Sequence, residues 1–419
     1  MTTTGSGAHL RINKDRLWNS LMEISRFGAT ENGGVTRLTL SKEAGEVRDL
    51  LIGYCKAEGC SVTVDGIGNV FARRPGKNPD LPVVSTGSHI DTQPKGGKFD
   101  GNYGVMAGLE VIRTLNENGV QTRAPVELCI WTNEEGSRFT PTMMGSAVYT
   151  GDLSLEAALA KEDEDGIRAG DAVKAIGYSG AAPASVKDGA PLKGAYFEAH
   201  IEQGPILDKL GLEIGVVTGA LGQYWYDVDI TGTANHAGTT PMDARRDPMQ
   251  TAGELVTETI RISRSHGEDG RGTVGHMRVY PNARNVIPAR IQMTVDLRHS
   301  KGEDLHAMEK EFQALLARLE EKYGTPITVE KVTDVEPPAF DPELVGIVRN
   351  AAQTFGYSHR NMVSGAGHDA VQLARTVPVA MIFVPTKDGI SHNEAEYASP
   401  EELEKGANVL LHAMLAKSL

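Results

Sequence analysis

Apolar runs and amphipathic stretches alternate through the first half of the chain. Leu81-Pro82-Val83-Val84 and Val126 to Trp131 read as buried strands, since continuous apolar runs of this length suit strands covered on both faces. Asn13 to Ser25, Ser41 to Glu58 and Gly104 to Asn118 carry helical periodicity. Ser41 stands as an N-cap, with Glu43 at the positive end of the helix dipole. Val62 to Asp65 and Asn69 to Ala72 form a strand pair around Gly66-Ile67-Gly68. Gly151 to Ala190 reads as a helical, acidic and peripheral stretch, and Ala195 to Gly204 as a strand ending in polar groups. Strands alternating with helices predict an α/β sandwich with a mainly parallel sheet.

From about Gly222 the rhythm changes. Tyr224 to Thr231 alternates as a half-buried strand, Pro248 to Ile262 is helical, and Gly272 to Tyr280 and Ile291 to Leu297 are strands. A helix at Leu305 to Tyr323 and a strand at Ile327 to Val332 complete a βαββαβ order, the split βαβ or ferredoxin-like module. The first pattern then resumes with a helix near Pro342 to Phe355, a strand at Val377 to Val384 and a last helix at Pro400 to Lys417. The expected division is a discontinuous domain, 1–221 and 335–419, with residues 222–334 inserted in it.

A length of 419 residues suits two domains, and 40% hydrophobic with 23% charged residues suits a globular chain. A net charge of −13 argues against nucleic acid or an anionic membrane as partner. Met1 to Leu10 is Thr- and Gly-rich, without the apolar core of a signal peptide, and no run approaches membrane-spanning length. Only three cysteines occur, Cys55, Cys60 and Cys129, with no CxxC pair; free thiols in a reducing cytoplasm are the expectation.

The candidate chemistry gathers where strands end. Gly87-Ser88-His89-Ile90-Asp91-Thr92 follows a buried strand, and along its edge His89 and Asp91 point the same way. Asp100 lies in a loop flanked by Gly96, Gly97 and Gly101, able to fold back over the strand end. An imidazole and two carboxylates converging there suit a divalent metal ion. Glu134-Glu135 end the Val126 strand; adjacent residues point apart, so one carboxylate can bind metal while the other acts as a base. His200 and His392 are further imidazoles at strand ends, and His368-Asp369 form a polar loop after Gly365-Ala366-Gly367. Taken singly, the acid pair reads as a solvated loop and each histidine as a satisfied interior group. HExxH, a Walker loop and a GxSxG elbow are absent, and His200-Ile201-Glu202 lacks the PCxxC that a nucleobase deaminase requires.

The segments GSHIDTQPKGGKFDG, TNEEGSRF, EAHIEQGP, TANHAGTTPMDARRDP, NVIP, DLRH, SGAGHDA and DGISHNEAEY, in this order, resemble the M20 metallopeptidase-type superfamily. They are most similar to its amidase branch: N-carbamoyl-L-amino-acid hydrolases, β-ureidopropionases and allantoate amidohydrolases. The resemblance implies two divalent ions (Zn, Mn, Co or Ni), bridged by Asp100, with His89 and His200 on one ion and Glu135 and His392 on the other. It implies Glu134 as general base toward a metal-bound hydroxide, and Asp91 as the group that orients His89 through its second ring nitrogen. In the inserted lid and dimerisation domain, His236 would stabilise the oxyanion, and Asn285 would contact substrate. Arg298 would grip a substrate carboxylate through a two-bond fork; the plainer reading is a surface ion pair. Gln203 and Gly367 would line the same pocket. The implied reaction is hydrolysis of the carbamoyl C–N bond of an N-carbamoyl amino acid to amino acid, carbon dioxide and ammonia, in a homodimer. The rivals are allantoate hydrolysis, then a dipeptidase or aminoacylase, and last a non-catalytic binding module.

Overall fold

The structure, a computed structural model, describes residues 9–419; the Thr- and Gly-rich start that bears on targeting falls mainly outside them. Two compact units emerge, residues 1–218 with 339–419 and residues 219–338.

The larger unit is built on an eight-stranded sheet. Its spatial order is Ser61–Val64, Val70–Arg74, Val126–Trp131, Val83–His89, Lys193–Ile201, Val379–Val384, Ile214–Ala220 and His359–Ser364. The four strands at its centre run parallel, and Val70–Arg74 and Ile214–Ala220 flank them antiparallel. Val83–His89 and Val126–Trp131 are buried at every position, as central strands covered on both faces must be. Their carboxyl ends are where an open α/β sheet presents groups to a crevice. The helix Asn102–Glu117 follows the Asp100 loop and is buried over most of its length. Ser41 caps Lys42–Ala57 by accepting from Ala44 N, and a capping box of Ser399 and Glu402 starts Pro400–Ser418.

Residues 151–190 depart from the helical expectation. They hold only Leu155–Leu159, Ala169–Ala175 and a single turn at Val186–Asp188. Gly151, Gly166, Gly177 and Gly189 all take positive φ; Gly151, Gly177 and Gly189 follow directly on helix ends, and Gly166 lies in the turn between Leu155–Leu159 and Ala169–Ala175. Asp163 Oδ1 accepts from the N–H groups of Asp165 and Ile167, which holds a turn where a helix would run on. Two strands, Ile214–Ala220 and His359–Ser364, come from stretches whose pattern had not suggested them.

The smaller unit is a four-stranded antiparallel sheet, ordered Ile327–Val335, Gly222–Thr231, Arg290–His299, Arg271–Tyr280. Tyr224, Tyr226, Val228 and Ile230 are buried on one face, together with Leu255 and Ile262 of Pro248–Ser265 and Leu305, Met308 and Phe312 of Gly302–Tyr323. Alternate residues of the same strand face outward, Trp225 among them.

Candidate metal centre

His89, Asp100, Glu134, Glu135, Gln203, His200, Gly367 and His392 all belong to the larger unit. The parallel strands bring His89 and His200 to their carboxyl ends. Two groups of side chains lie close enough to hold a cation, His89 with Asp100 and His200, and Asp100 with Glu135 and His392. Asp100 serves both. Its Oδ1 stands 3.6 Å from His89 Nε2 and 3.2 Å from His200 Nε2, and its Oδ2 stands 3.2 Å from His392 Nε2. Gly101 makes this approach possible: a Cβ there would lie 2.4 Å from the His89 ring, and φ is +64°. A third group, Glu198 with His200 and His368, shares His200 with the first.

The tautomers fit a cation. His89 Nδ1 lies 2.9 Å from the Asp91 main-chain carbonyl, and His200 Nδ1 lies 2.9 Å from that of Ile201. A carbonyl only accepts, so both Nδ1 atoms carry hydrogen and both Nε2 atoms turn a lone pair toward Asp100. The Gly101 N–H donates to His200 Nε2, in keeping with that assignment. Lone pair then faces carboxylate, an arrangement that a cation or a proton must relieve. The charge balance says the same. Asp91, Asp100, Glu134, Glu135, Glu198, Asp369 and Glu396 are all buried, against two buried guanidinium groups, Arg37 and Arg48, that feel Asp91. Buried carboxylates in such excess must be neutralised, by cations or by protons.

The electrostatics follow from this crowding. Burial raises Glu135 to about 7, helped by the charge of Asp100. Burial also holds Glu134 well above the usual carboxylate range, despite the opposing pull of His89. For Asp100, burial is outweighed by the surrounding imidazoles of His200, His392 and His89 whenever these carry a second proton, and the group then stays well below its ordinary value.

Glu134 belongs to neither of the groups that Asp100 shares, although its Oε2 lies 3.5 Å from His89 Nε2. Glu135 lies in the second group and accepts from Gln93 Nε2 at 2.8 Å. The Asp91 side chain is placed otherwise than expected. Its carboxylate stays 4.0 Å from His89 Nδ1 and instead accepts from the main-chain N–H of Glu134, at 3.4 Å, and Glu135, at 3.2 Å. The main-chain carbonyl takes over the orienting of His89, and the side chain fixes the loop that carries both glutamates.

Gln203 Nε2 donates to Asp100 Oδ2 at 2.8 Å, and its buried Oε1 has no partner among the described residues. Gly367 precedes His368, whose ring packs edge-on against His200 at 4.5 Å. Glu198 and Glu396 escaped the sequence reading as parts of this neighbourhood, whereas Asp369 was singled out with His368. For Glu198 a signal existed, since it lies two residues before His200 on one strand and so shares its face.

His236, Asn285 and Arg298 belong to the smaller unit. His236 and Asn285 are brought together, with Val286 paired to His236 and Ala237 N donating to Asn285 O. His236 Nδ1 accepts from Gly238 N and Thr239 N, so the neutral ring presents Nε2–H as a donor on an exposed side chain. Arg298 forms a fork with Asp296, two residues earlier on its strand.

The sequence profile of peptidase family M20/M25/M40 matches residues 86–416. The chain belongs to this M20 family. Within it, the hydantoinase/carbamoylase amidase branch is the match. A solved amidase of that branch from Burkholderia multivorans is 50% identical, with 98% of each chain covered and a TM-score of 0.93. An N-carbamoyl-L-amino-acid amidohydrolase of Rhizobium meliloti is 44% identical over 98% of this chain and 97% of its own length. An allantoate amidohydrolase of Bacillus subtilis is 34% identical over 95% and 96%. The M20 chain is thus a hydrolase of the N-carbamoyl-L-amino-acid amidohydrolase/allantoate amidohydrolase family, and the M20 family is metal-dependent. Among the described residues no helix is long and apolar enough to cross a membrane.

Proposed function

We propose that the protein hydrolyses the carbamoyl C–N bond of an N-carbamoyl amino acid, giving the amino acid, carbon dioxide and ammonia. The observation that carries this reading is Glu134, a buried carboxylate beside the metal-capable groups and outside both of those built on Asp100. The substrate class rests on the full-length likeness to the N-carbamoyl-L-amino-acid amidohydrolase of Rhizobium meliloti.

His89, Asp100 and His200 would hold one divalent ion, and Asp100, Glu135 and His392 the second. Three imidazoles with carboxylates suit Zn, Mn, Co or Ni. When bound, the ions polarise the ureido carbonyl and make water a stronger nucleophile at neutral pH. Glu134 takes the proton from the attacking water and gives it to the leaving nitrogen. Gln203 Oε1 accepts from a ureido N–H, which satisfies a buried acceptor otherwise without a partner. His236 donates from Nε2 to the developing oxyanion, Asn285 assists in holding the substrate, and Arg298 exchanges Asp296 for the substrate carboxylate. Two chains pair through the smaller unit, where Arg271–Tyr280 is an edge strand. The three buried free cysteines support a cytoplasmic setting.

The test is ammonia release by metal-reconstituted protein from N-carbamoyl-L-methionine, N-carbamoyl-β-alanine and allantoate, side by side, with wild type and Glu134→Gln. The expected result is a preference for a carbamoyl amino acid and a fall of about 10²–10⁴-fold in kcat for the variant, with metal content retained. Preference for allantoate would move the substrate to the second reading. Loss of metal in Glu134→Gln would overturn its assignment as a free base.

A further inference from the structure

Glu396 belongs to neither ligand group, yet it joins the loops that deliver both. It lies four residues beyond His392 and is 4% exposed. Its Oε1 accepts from the main-chain N–H of Phe99 at 3.0 Å and of Asp100 at 3.1 Å. Its Oε2 accepts from Ser391 Oγ at 2.8 Å. Ser391 Oγ accepts in turn from Gln203 Nε2 at 3.3 Å, and the same Nε2 donates to Asp100 Oδ2 at 2.8 Å. A closed circuit therefore runs from the Asp100 main chain through Glu396, Ser391 and Gln203 to the Asp100 carboxylate. The chain is shaped to admit this carboxylate, for a Cβ on Gly97 would lie 2.0 Å from Glu396 Oε1.

Both Glu396 oxygens accept from donors of the chain, and Glu396 stands outside the groups that could hold a cation. What it can do is fix distance. His392 sits in an irregular loop with φ at +54° and a side chain 49% exposed, a conformation that persists only if its surroundings impose it. Ser391 is the residue before it, and Glu396 ties Ser391 to the N–H of Asp100. We propose that Glu396 is a positioning residue that sets the separation of Asp100 and His392, and so the affinity for the ion held by Asp100, Glu135 and His392. The proposal rests on the two-ion reading above. The first ion, held by His89, Asp100 and His200, keeps both histidines on buried strand ends that Glu396 does not touch. The two ions should therefore respond differently.

The test uses the full chain loaded with Zn²⁺ and dialysed against increasing chelator, with retained zinc counted by mass spectrometry. Amide exchange across residues 97–101 is followed in the metal-free protein. Wild type is expected to hold two ions per chain. In Glu396→Ala the second ion should leave at chelator concentrations about 10–100-fold lower, the usual effect of removing a group that orients a ligand. The first shares Asp100 but keeps both buried histidines, so its release should shift much less, and the 97–101 amides should exchange faster without metal. Glu396→Gln keeps the two N–H contacts and should restore much of both; Ser391→Ala, which leaves those contacts whole, serves if Glu396→Ala does not fold. Two ions retained at wild-type chelator concentrations in Glu396→Ala, or in Ser391→Ala where that variant stands in for it, would overturn the inference, whatever the exchange rates. A wild type without a second ion would instead overturn the two-ion reading itself.

Discussion

Lys193 and Glu127 form an ion pair of 2.6 Å at the amino ends of their strands, away from the metal-capable groups, with both side chains almost wholly buried. The Lys193 ammonium also lies 4.6 Å from the centre of the Phe71 ring and 4.9 Å from that of Tyr149. Burial alone would raise the Glu127 pKa, but Lys193 and Arg73 hold it below the ordinary value. Lys193→Met keeps most of the apolar stem and removes the charge. Breaking one side of a buried pair costs roughly 3–5 kcal/mol, because the other charge is left uncompensated. Here the lower end applies, since Arg73 stays 3.2 Å from Glu127 Oε2 and Ser85 Oγ donates to Oε1 at 3.3 Å. The expected loss is therefore about 3 kcal/mol. Adding Glu127→Gln removes the stranded charge, so the double variant should recover at least about 1.5 kcal/mol of it. Urea unfolding of metal-free protein, followed through Trp131, whose ring centre lies 5.8 Å from the ammonium, measures all four corners of the cycle. A single variant within about 0.5 kcal/mol of wild type, or strictly additive losses, would refute the uncompensated-charge argument.

Gly101→Ala places a Cβ 2.4 Å from the His89 ring at a φ of +64°; it should cost about 1–3 kcal/mol and lower zinc retention, measured by denaturation and metal analysis. An alanine variant that keeps its metal would show that the ring can give way freely. Burial lowers the pKa of His412 from 6.5, outweighing its contact with the Leu10 carbonyl. Below pH 6.5 the unfolded chain then binds the proton that the folded chain refuses, so this residue's contribution to stability is lost as pH falls. The Tm of His412→Gln relative to wild type should rise from about pH 8 to about pH 5.5, and a difference flat with pH would refute the sign. Arg298→Lys cannot reproduce the planar fork and should raise KM about 10–100-fold with kcat nearly kept; an unchanged KM would remove Arg298 from substrate binding.

The sequence was most legible where one physical cause dominates. Continuous apolar runs marked the central strands, and strict alternation marked the Tyr224 to Ile230 face of the smaller sheet. It was least legible at residues 151–190, where helical composition is cut into short pieces by glycines at positive φ and by the turn at Asp163. The flanking strands Ile214–Ala220 and His359–Ser364 carry glycine or polar residues that blur a strand pattern. In the site, residue chemistry singled out His89 and Asp100, the family resemblance added Glu135, His200 and His392 as metal-binding candidates, and the structure brings these five side chains into two groups that could hold a cation. Glu396 was not legible, because a buried glutamate looks like a solvated one until its donors are placed, and Glu198 was missed although its spacing from His200 carried a signal. Asp91 shows the same limit: its position was legible, but which of its oxygens meets His89 depends on a backbone turn that no spacing encodes.

That limit bears on how the centre is built. A metal-capable group needs its ligands in register to within fractions of an ångström, and strands supply such precision better than loops. His89 and His200 come from strand ends and are buried, whereas His392 comes from an irregular loop and is half exposed. Asp100 stands between these two conditions, and every hydrogen bond named around it works to hold it there. Gln203 reaches its carboxylate, and Glu396 takes its main-chain N–H. The loop-borne half of the centre thus acquires by hydrogen bonding the rigidity that the strand-borne half has from the sheet. The difference accounts for two of the buried carboxylates outside the groups built on Asp100: Asp91 and Glu396 accept from main-chain N–H groups of the loops that carry Glu135 and Asp100. Glu134 can then remain outside the groups around Asp100, buried and beside them, because other carboxylates already fix the geometry.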